Sequence, residues 1–274
     1  MSWRARLRVV PRRLGLWDRP TAPVFAVAGL VVAAWVVLTT GLAPVPMAMA
    51  AGGSHAASVG PLWICDLAGG MSMTGAAGGG GPVAVALAGM PMWSLMALAM
   101  MLPAALPAAS HVAVNSLRRR RGRAVSEFLA GYLALWLGFG AVVLLGLAVL
   151  STDRAVILFA AALGVATAWE ISPAKQWALR RCHRATPLPP SGWRASVGAT
   201  RFGVFHGGAC VASCWPLMLV MAVAPSARLA WCAGLAGVGV AEKLTLRPRR
   251  RARRLGLVLA AATVLAALAV VLGV

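Results

Sequence analysis

Residues 202–222 read FGVFHGGACVASCWPLMLVMA. The run holds no Asp, Glu, Lys or Arg over 21 positions. At a rise of about 1.5 Å per residue, a helix of this length crosses the roughly 30 Å hydrocarbon core of a bilayer. Within it His206, Cys210, Cys214 and Met218 recur every fourth residue. Helical geometry stacks such a series along one face, drifting about 40° per step. Imidazole, thiolate and thioether are the donors preferred by soft transition metals. Polar and ionisable groups are costly inside a membrane and mark function there.

The rest of the 274-residue chain agrees with a membrane setting. Hydrophobic residues make up 60% and charged residues 12%, and mean hydropathy is +0.81. Apolar runs at 22–42, 83–108, 125–150, 155–171, 202–222, 229–246 and 255–274 predict an all-α, polytopic transmembrane bundle of about seven spans. The net charge of +20 does not point to nucleic acid, because the charge is segregated between the spans. With the N-terminus inside, 24 of the 26 Lys and Arg residues fall on the cytoplasmic side, and only Arg154 and Arg228 face outward. That asymmetry predicts an N-in, C-out multi-pass protein of the plasma (inner) membrane. Its basic loops are suited to anionic lipid headgroups. An alternative start has the leader cleaved near Ala50, after Ala48-Met49-Ala50, which leaves six spans.

The chain divides into a basic cytoplasmic N-terminus (1–21), a first transmembrane helix (22–42), an exterior segment (43–81), a membrane core of five helices (82–246), and a basic loop with the last helix (247–274). The exterior segment is rich in Gly, Ala and Met. It carries Met47, Met49, His55, Cys65, Asp66, Met71 and Met73 but no Lys or Arg. Met-x-Met pairs on such a strand suit capture of Cu(I); a low-complexity linker is the alternative.

The second span repeats the four-residue spacing with Met92, Met96 and Met100. Either these thioethers form a ladder beside the His/Cys row, or they are gap-filling core residues. Pro91, Pro103 and Pro107 should kink or end this helix and free backbone carbonyls. Pro173 should break or kink the helix at the end of the fourth span. Glu127 should pair with the arginines at 118–123, and Glu170 with Lys175 or Arg180. Gly203-x-x-x-Gly207 should bring a neighbouring helix close. Glu242-Lys243 reads most simply as a capping or lipid-interface pair.

Several of these stretches together resemble a known family. They are Trp93-x-x-Met96-x-x-Ala99-Met100-Met101-x-Pro103, Ala130-Gly131-Tyr132-Leu133-x-x-Trp136, His206-x-x-x-Cys210-x-x-x-Cys214-Trp215-x-Leu217-Met218 and Glu242-Lys243. The combination resembles the DUF2182 group of integral membrane proteins, described as metal-binding. The resemblance covers about Met92 to Lys243 and implies that His206, Cys210 and Cys214 form the core of a metal site. The chain departs from the pattern at Ser213, where the family carries a cysteine, at Trp169-Glu170, and at Ala178; Cys182 matches a family cysteine.

The functional expectation is a non-enzymatic membrane protein that binds or handles a soft metal, copper first. The site residues are His206, Cys210, Cys214 and Met218, with Met92, Met96 and Met100 alongside. A metal donor or acceptor protein would be its partner. The row spans about 18 Å, too long for one coordination sphere, so it reads as a series of positions at different depths. A structural or assembly subunit without metal and a thiol or haem redox protein are the alternatives. No nucleophile–base arrangement argues for an active site.

Overall fold

The computed structural model describes residues 22–40, 81–149, 155–184, 186–189, 191–223, 228–244 and 261. The basic N-terminus, the exterior segment before Gly81 with its Met-x-Met pairs, and the span expected at 255–274 (apart from Ala261) lie outside the described residues.

Seven α-helices make up the described chain, and no strand occurs among the described residues. They are α1 (Ala22–Thr40), α2 (Pro82–Asn115), α3 (Arg121–Val149), α4 (Ala155–Ile171), α5 (Pro173–Cys182), α6 (Trp193–Val223) and α7 (Arg228–Leu244), with a single 3-10 turn at Arg118–Arg120 before α3. Four helices are long and apolar enough to cross a membrane, namely α1, α2, α3 with its preceding turn, and α6. The pair α4–α5, bent by 71° at Ser172, makes a fifth if taken as one broken span. Over its described residues α7 has 17 positions, about 26 Å against a hydrocarbon core of roughly 30 Å.

The helices outrun the apolar stretches that predict them. α2 continues to Asn115 and α6 begins at Trp193, because Arg, Ala and Ser extend a helix past its oily part at little cost. α5 is an addition: Pro173 stands at its first turn, and Ser172 caps it by accepting from the Lys175 N–H at 3.1 Å, as proline and serine favour at these positions.

The three prolines inside α2 do not end it. Pro103 has no N–H to offer the carbonyl four residues earlier, that of Ala99. The indole of Trp35 on α1 donates to that oxygen at 3.0 Å, so the freed acceptor becomes the anchor between α1 and α2. Next in line, the Trp93 indole donates to the Trp136 carbonyl at 2.9 Å and ties α2 to α3.

α6 is the central helix, packed on α3, α4 and α5, while α2 bridges α1, α3 and α7. Close approach of α3 and α6 depends on glycine, as the spacing of Gly203 and Gly207 predicts. A Cβ at Gly203 would collide with the Phe128 carbonyl, and one at Gly207 would lie 3.0 Å from the Tyr132 carbonyl oxygen. Gly131 answers from α3, with space for no Cβ against the Thr200 carbonyl. This crossing sets Tyr132 beside the His206–Cys210 turn.

Candidate metal site

The row on α6 is buried along its whole length. Cys210, Cys214 and Met218 are fully enclosed and His206 is 7% exposed. The groups around it come from four other helices. The Tyr132 hydroxyl on α3 donates to the Met101 carbonyl on α2 at 2.8 Å and lies 3.1 Å from Cys210 Sγ. From α7 the Lys243 ammonium donates to the same sulfur at 2.6 Å. Ser213, one turn on, donates to the Cys210 carbonyl at 2.9 Å and stands 3.4 Å from Cys214 Sγ. The Cys182 thiol at the end of α5 lies within electrostatic reach of Cys210, Cys214 and Lys243, and it faces Ser213. Three thiols and one ammonium therefore share a buried neighbourhood.

The physics of this contact is a charge problem. A buried ammonium is tolerated when paired and hydrogen-bonded. Lys243 meets a sulfur, and the thiolate is the form of cysteine that binds metals. The lysine therefore brings the counter-charge that a thiolate needs in a dry interior. His183 holds the lysine's backbone in place: its two ring nitrogens contact the Leu179 carbonyl at 2.7 Å and the Lys243 carbonyl at 2.9 Å.

His206 differs from the thiols. Its ring sits among Phe128, Tyr132 and Phe202, with centroids 6.0, 5.9 and 6.0 Å away, and its Nε2 has no hydrogen-bond partner. An unsatisfied buried polar atom is uncommon and calls for a reason. Phe202 also packs against His111 at 5.8 Å, and His111 Nε2 contacts the Thr186 carbonyl at 3.1 Å. That arrangement does not suit two imidazoles facing one haem iron.

A second charged cluster lies beside the first. Lys175 bridges Glu170 and Glu242, contacting Glu170 Oε1 and, at 2.8 Å, Glu242 Oε1. All three side chains are buried, and the second oxygen of each carboxylate has no partner. Glu170 thus pairs with Lys175, one of its two expected partners. Glu242-Lys243 is no surface cap: the two adjacent residues feed two buried clusters, one ionic and one with sulfur. Glu127 pairs with Arg120 and Arg123, each at 2.9 Å, as its place in the sequence predicts.

The methionine stripe is only partly joined to the row. Met96 and Met100 belong to the same buried core as Cys210, Cys214 and Met218, while Met92 is half-buried at its edge and packs both against that core and against the Ala34–Leu38 face of α1. The link from α2 to Cys210 is the Tyr132 hydroxyl and not a thioether. Among the described residues no group of three or more His, Cys, Asp or Glu side chains is arranged to hold a metal ion. The donor set is nevertheless chemically soft, and the buried His206 Nε2 has no hydrogen-bond partner.

Sequence reading did not assign Tyr132, Lys243, Ser213 or Cys182 to the site. Tyr132 and Lys243 lie in the stretches that carry the family resemblance, Ser213 and Cys182 stand at its cysteine positions, and Tyr132 is the single tyrosine of the chain. That was the available signal.

Fold and site together define a protein that is helical throughout its described elements, with several helices of membrane-crossing length, built round a buried thiol–ammonium contact. The family model described as "PpoB2: Copper chaperone" matches residues 90–266, and the chain belongs to that family. Comparison with curated proteins and with solved structures found no match. The match begins within α2 and takes in α3 to α7, so every residue of both buried clusters lies inside it. Copper is thereby tied to the chain at the level of its family.

Proposed function

We propose that this protein is an integral membrane copper-handling protein that carries Cu(I) as cargo on Cys210 and Cys214, with His206 as a further donor. The observation that carries the reading is the 2.6 Å contact of Lys243 Nζ with Cys210 Sγ in a buried setting. Before metal arrives, the ammonium balances the thiolate. Cu(I) brings its own positive charge, so Lys243 leaves the sulfur as the metal takes it. The lysine is a stand-in for the cation. Cys214, one turn away, and the unpartnered His206 Nε2 complete a soft site when the side chains close round the ion. Cys182 sits where a further thiolate would join.

The membrane setting is supported by the outward surface. Phe25, Leu87, Val142 and Phe205 are each more than 60% exposed, as suits side chains solvated by lipid. In the N-in orientation the Cys210–Lys243 contact lies towards the inner membrane's cytoplasmic face. The basic loops there would hold anionic headgroups, and a soluble donor or acceptor of copper would dock there. The motifs shared with DUF2182 support the same reading. Handling of the ion requires no catalytic step.

The test is the copper content of purified full-length protein loaded with Cu(I). Wild type should retain copper, and the Cys210→Ser/Cys214→Ser variant should lose the share held there. Equal copper, zinc and nickel in both proteins overturns the proposal.

A further inference from the structure

The Cys210–Lys243 contact has a counterpart three helical turns away. On α6, Met221 follows Cys210 by 11 residues; on α7, Cys232 precedes Lys243 by 11 residues. Eleven residues are about three turns and 16 Å, so each pair of residues lies on one stripe of its helix. The helices run in opposite directions, and the two stripes meet at both ends: Lys243 Nζ contacts Cys210 Sγ at 2.6 Å, and the Cys232 thiol donates to Met221 Sδ at 3.3 Å. Cys232 is fully buried and Met221 is 1% exposed. Between the two rungs, on the same stripe of α6, stand the buried Cys214 and Met218.

We infer that Met221 and Cys232 form a second soft-cation site, one that takes Cu(I) between a thiolate and a thioether at the opposite end of the α6–α7 interface from Cys210. The inference rests on the copper-handling reading and adds to it a station from which the ion reaches Met218, Cys214 and Cys210. The exchange balances: Cu(I) displaces the thiol proton, the Cys232 S–H bond gives way to a Cu–S bond, and the proton leaves to solvent. Metal–sulfur bonds of about 2.3 Å already span two sulfurs 3.3 Å apart. Widening the angle at the metal falls to Met221, whose unbranched side chain adapts readily. At this rung the Cys232 thiol donates its proton in a hydrogen bond to the Met221 thioether. The thiol proton occupies the cation's place, so entry at this end expels a proton and transfer to the other end displaces a lysine. Contact between a thiol and a thioether as mere core packing would give neither the ligation nor the loss described next.

The experiment uses the full chain in nanodiscs, titrated with Cu(I) supplied from a competing chelator. Met221→Leu and Cys232→Ser should each bind one Cu(I) fewer than wild type while the equivalent lost in Cys210→Ser/Cys214→Ser remains. The double cysteine variant should conversely keep the equivalent that depends on Met221 and Cys232. Met221→Leu conserves volume and keeps the test open if Cys232→Ser folds poorly. Unchanged stoichiometry in both variants, or loss in only one of them, overturns the shared site and leaves the Cys210 site standing. A wild-type protein that binds no Cu(I) overturns this inference together with the proposed function.

Discussion

Lys243 and Cys210, 33 residues apart, meet at 2.6 Å with both side chains buried. Removing either partner has unequal consequences. Cys210→Ala removes the sulfur that accepts from the buried Lys243 ammonium and should cost about 3–5 kcal/mol, the usual penalty for breaking a buried pair. Cys210→Ser keeps an acceptor oxygen and should cost less. The double variant Cys210→Ala/Lys243→Met removes the charge as well and should regain much of the loss. Unfolding in mixed micelles measures the cycle. Coupling within about 0.5 kcal/mol of zero would show that the two groups do not act as a pair.

Lys175 serves two carboxylates, and that 2:1 ratio has a distinctive signature. Glu170→Gln or Glu242→Gln alone leaves one carboxylate against one ammonium, so each single change should be mild. Together they strip Lys175 of both counter-charges. The double variant should therefore lose about 3–5 kcal/mol, well beyond the sum of the singles. Simple additivity in the same unfolding assay would mean that the bridge contributes little.

The crossing of α3 and α6 gives a sterically defined prediction. Gly203→Ala drives a methyl into the Phe128 backbone carbonyl, which cannot swing aside as a side chain can. A cost of about 1–3 kcal/mol is expected, with weaker Cu(I) binding because Tyr132 is pushed away from Cys210. Gly208→Ala meets nothing within 4 Å and should gain about 0.5–1 kcal/mol from helix preference. If Gly203→Ala matched Gly208→Ala in stability, the close packing would be absent in the membrane.

These contacts show where local sequence carries information and where it stops. Helices and their close crossings were legible, because apolar runs, Gly203-x-x-x-Gly207 and Pro173 act within a few residues. The row of His206, Cys210, Cys214 and Met218 was legible for the same reason, as periodicity on one helix. The partners of that row were not. Lys243 and Tyr132 reach Cys210 over 33 and 78 residues, and no spacing rule connects residues on different helices. Glu242-Lys243 misled because charges at the end of a short apolar run ordinarily face the interface. Here Lys175 of α5 and His183 just after it reach Glu242 and the Lys243 carbonyl, so the same charges are enclosed. Trp35 and Pro103 illustrate a middle case: the freed carbonyl was foreseeable from proline, but the indole that takes it was not.

His206 separates a ligand from a packing residue. Its Nε2 has no partner, so a substitution forfeits no hydrogen bond at that atom. Its neighbours Phe128, Tyr132 and Phe202 already form an aromatic nest. His206→Phe should accordingly hold or raise stability in the metal-free protein, since a buried unsatisfied polar atom is replaced by apolar surface. The same change should weaken Cu(I) binding at the Cys210 site by tenfold or more, about 1.4 kcal/mol, because a donor is lost. Stability and affinity must then move in opposite directions, which a packing role alone cannot produce. Parallel loss of both would make His206 part of the core, and the copper site would rest on the thiols alone.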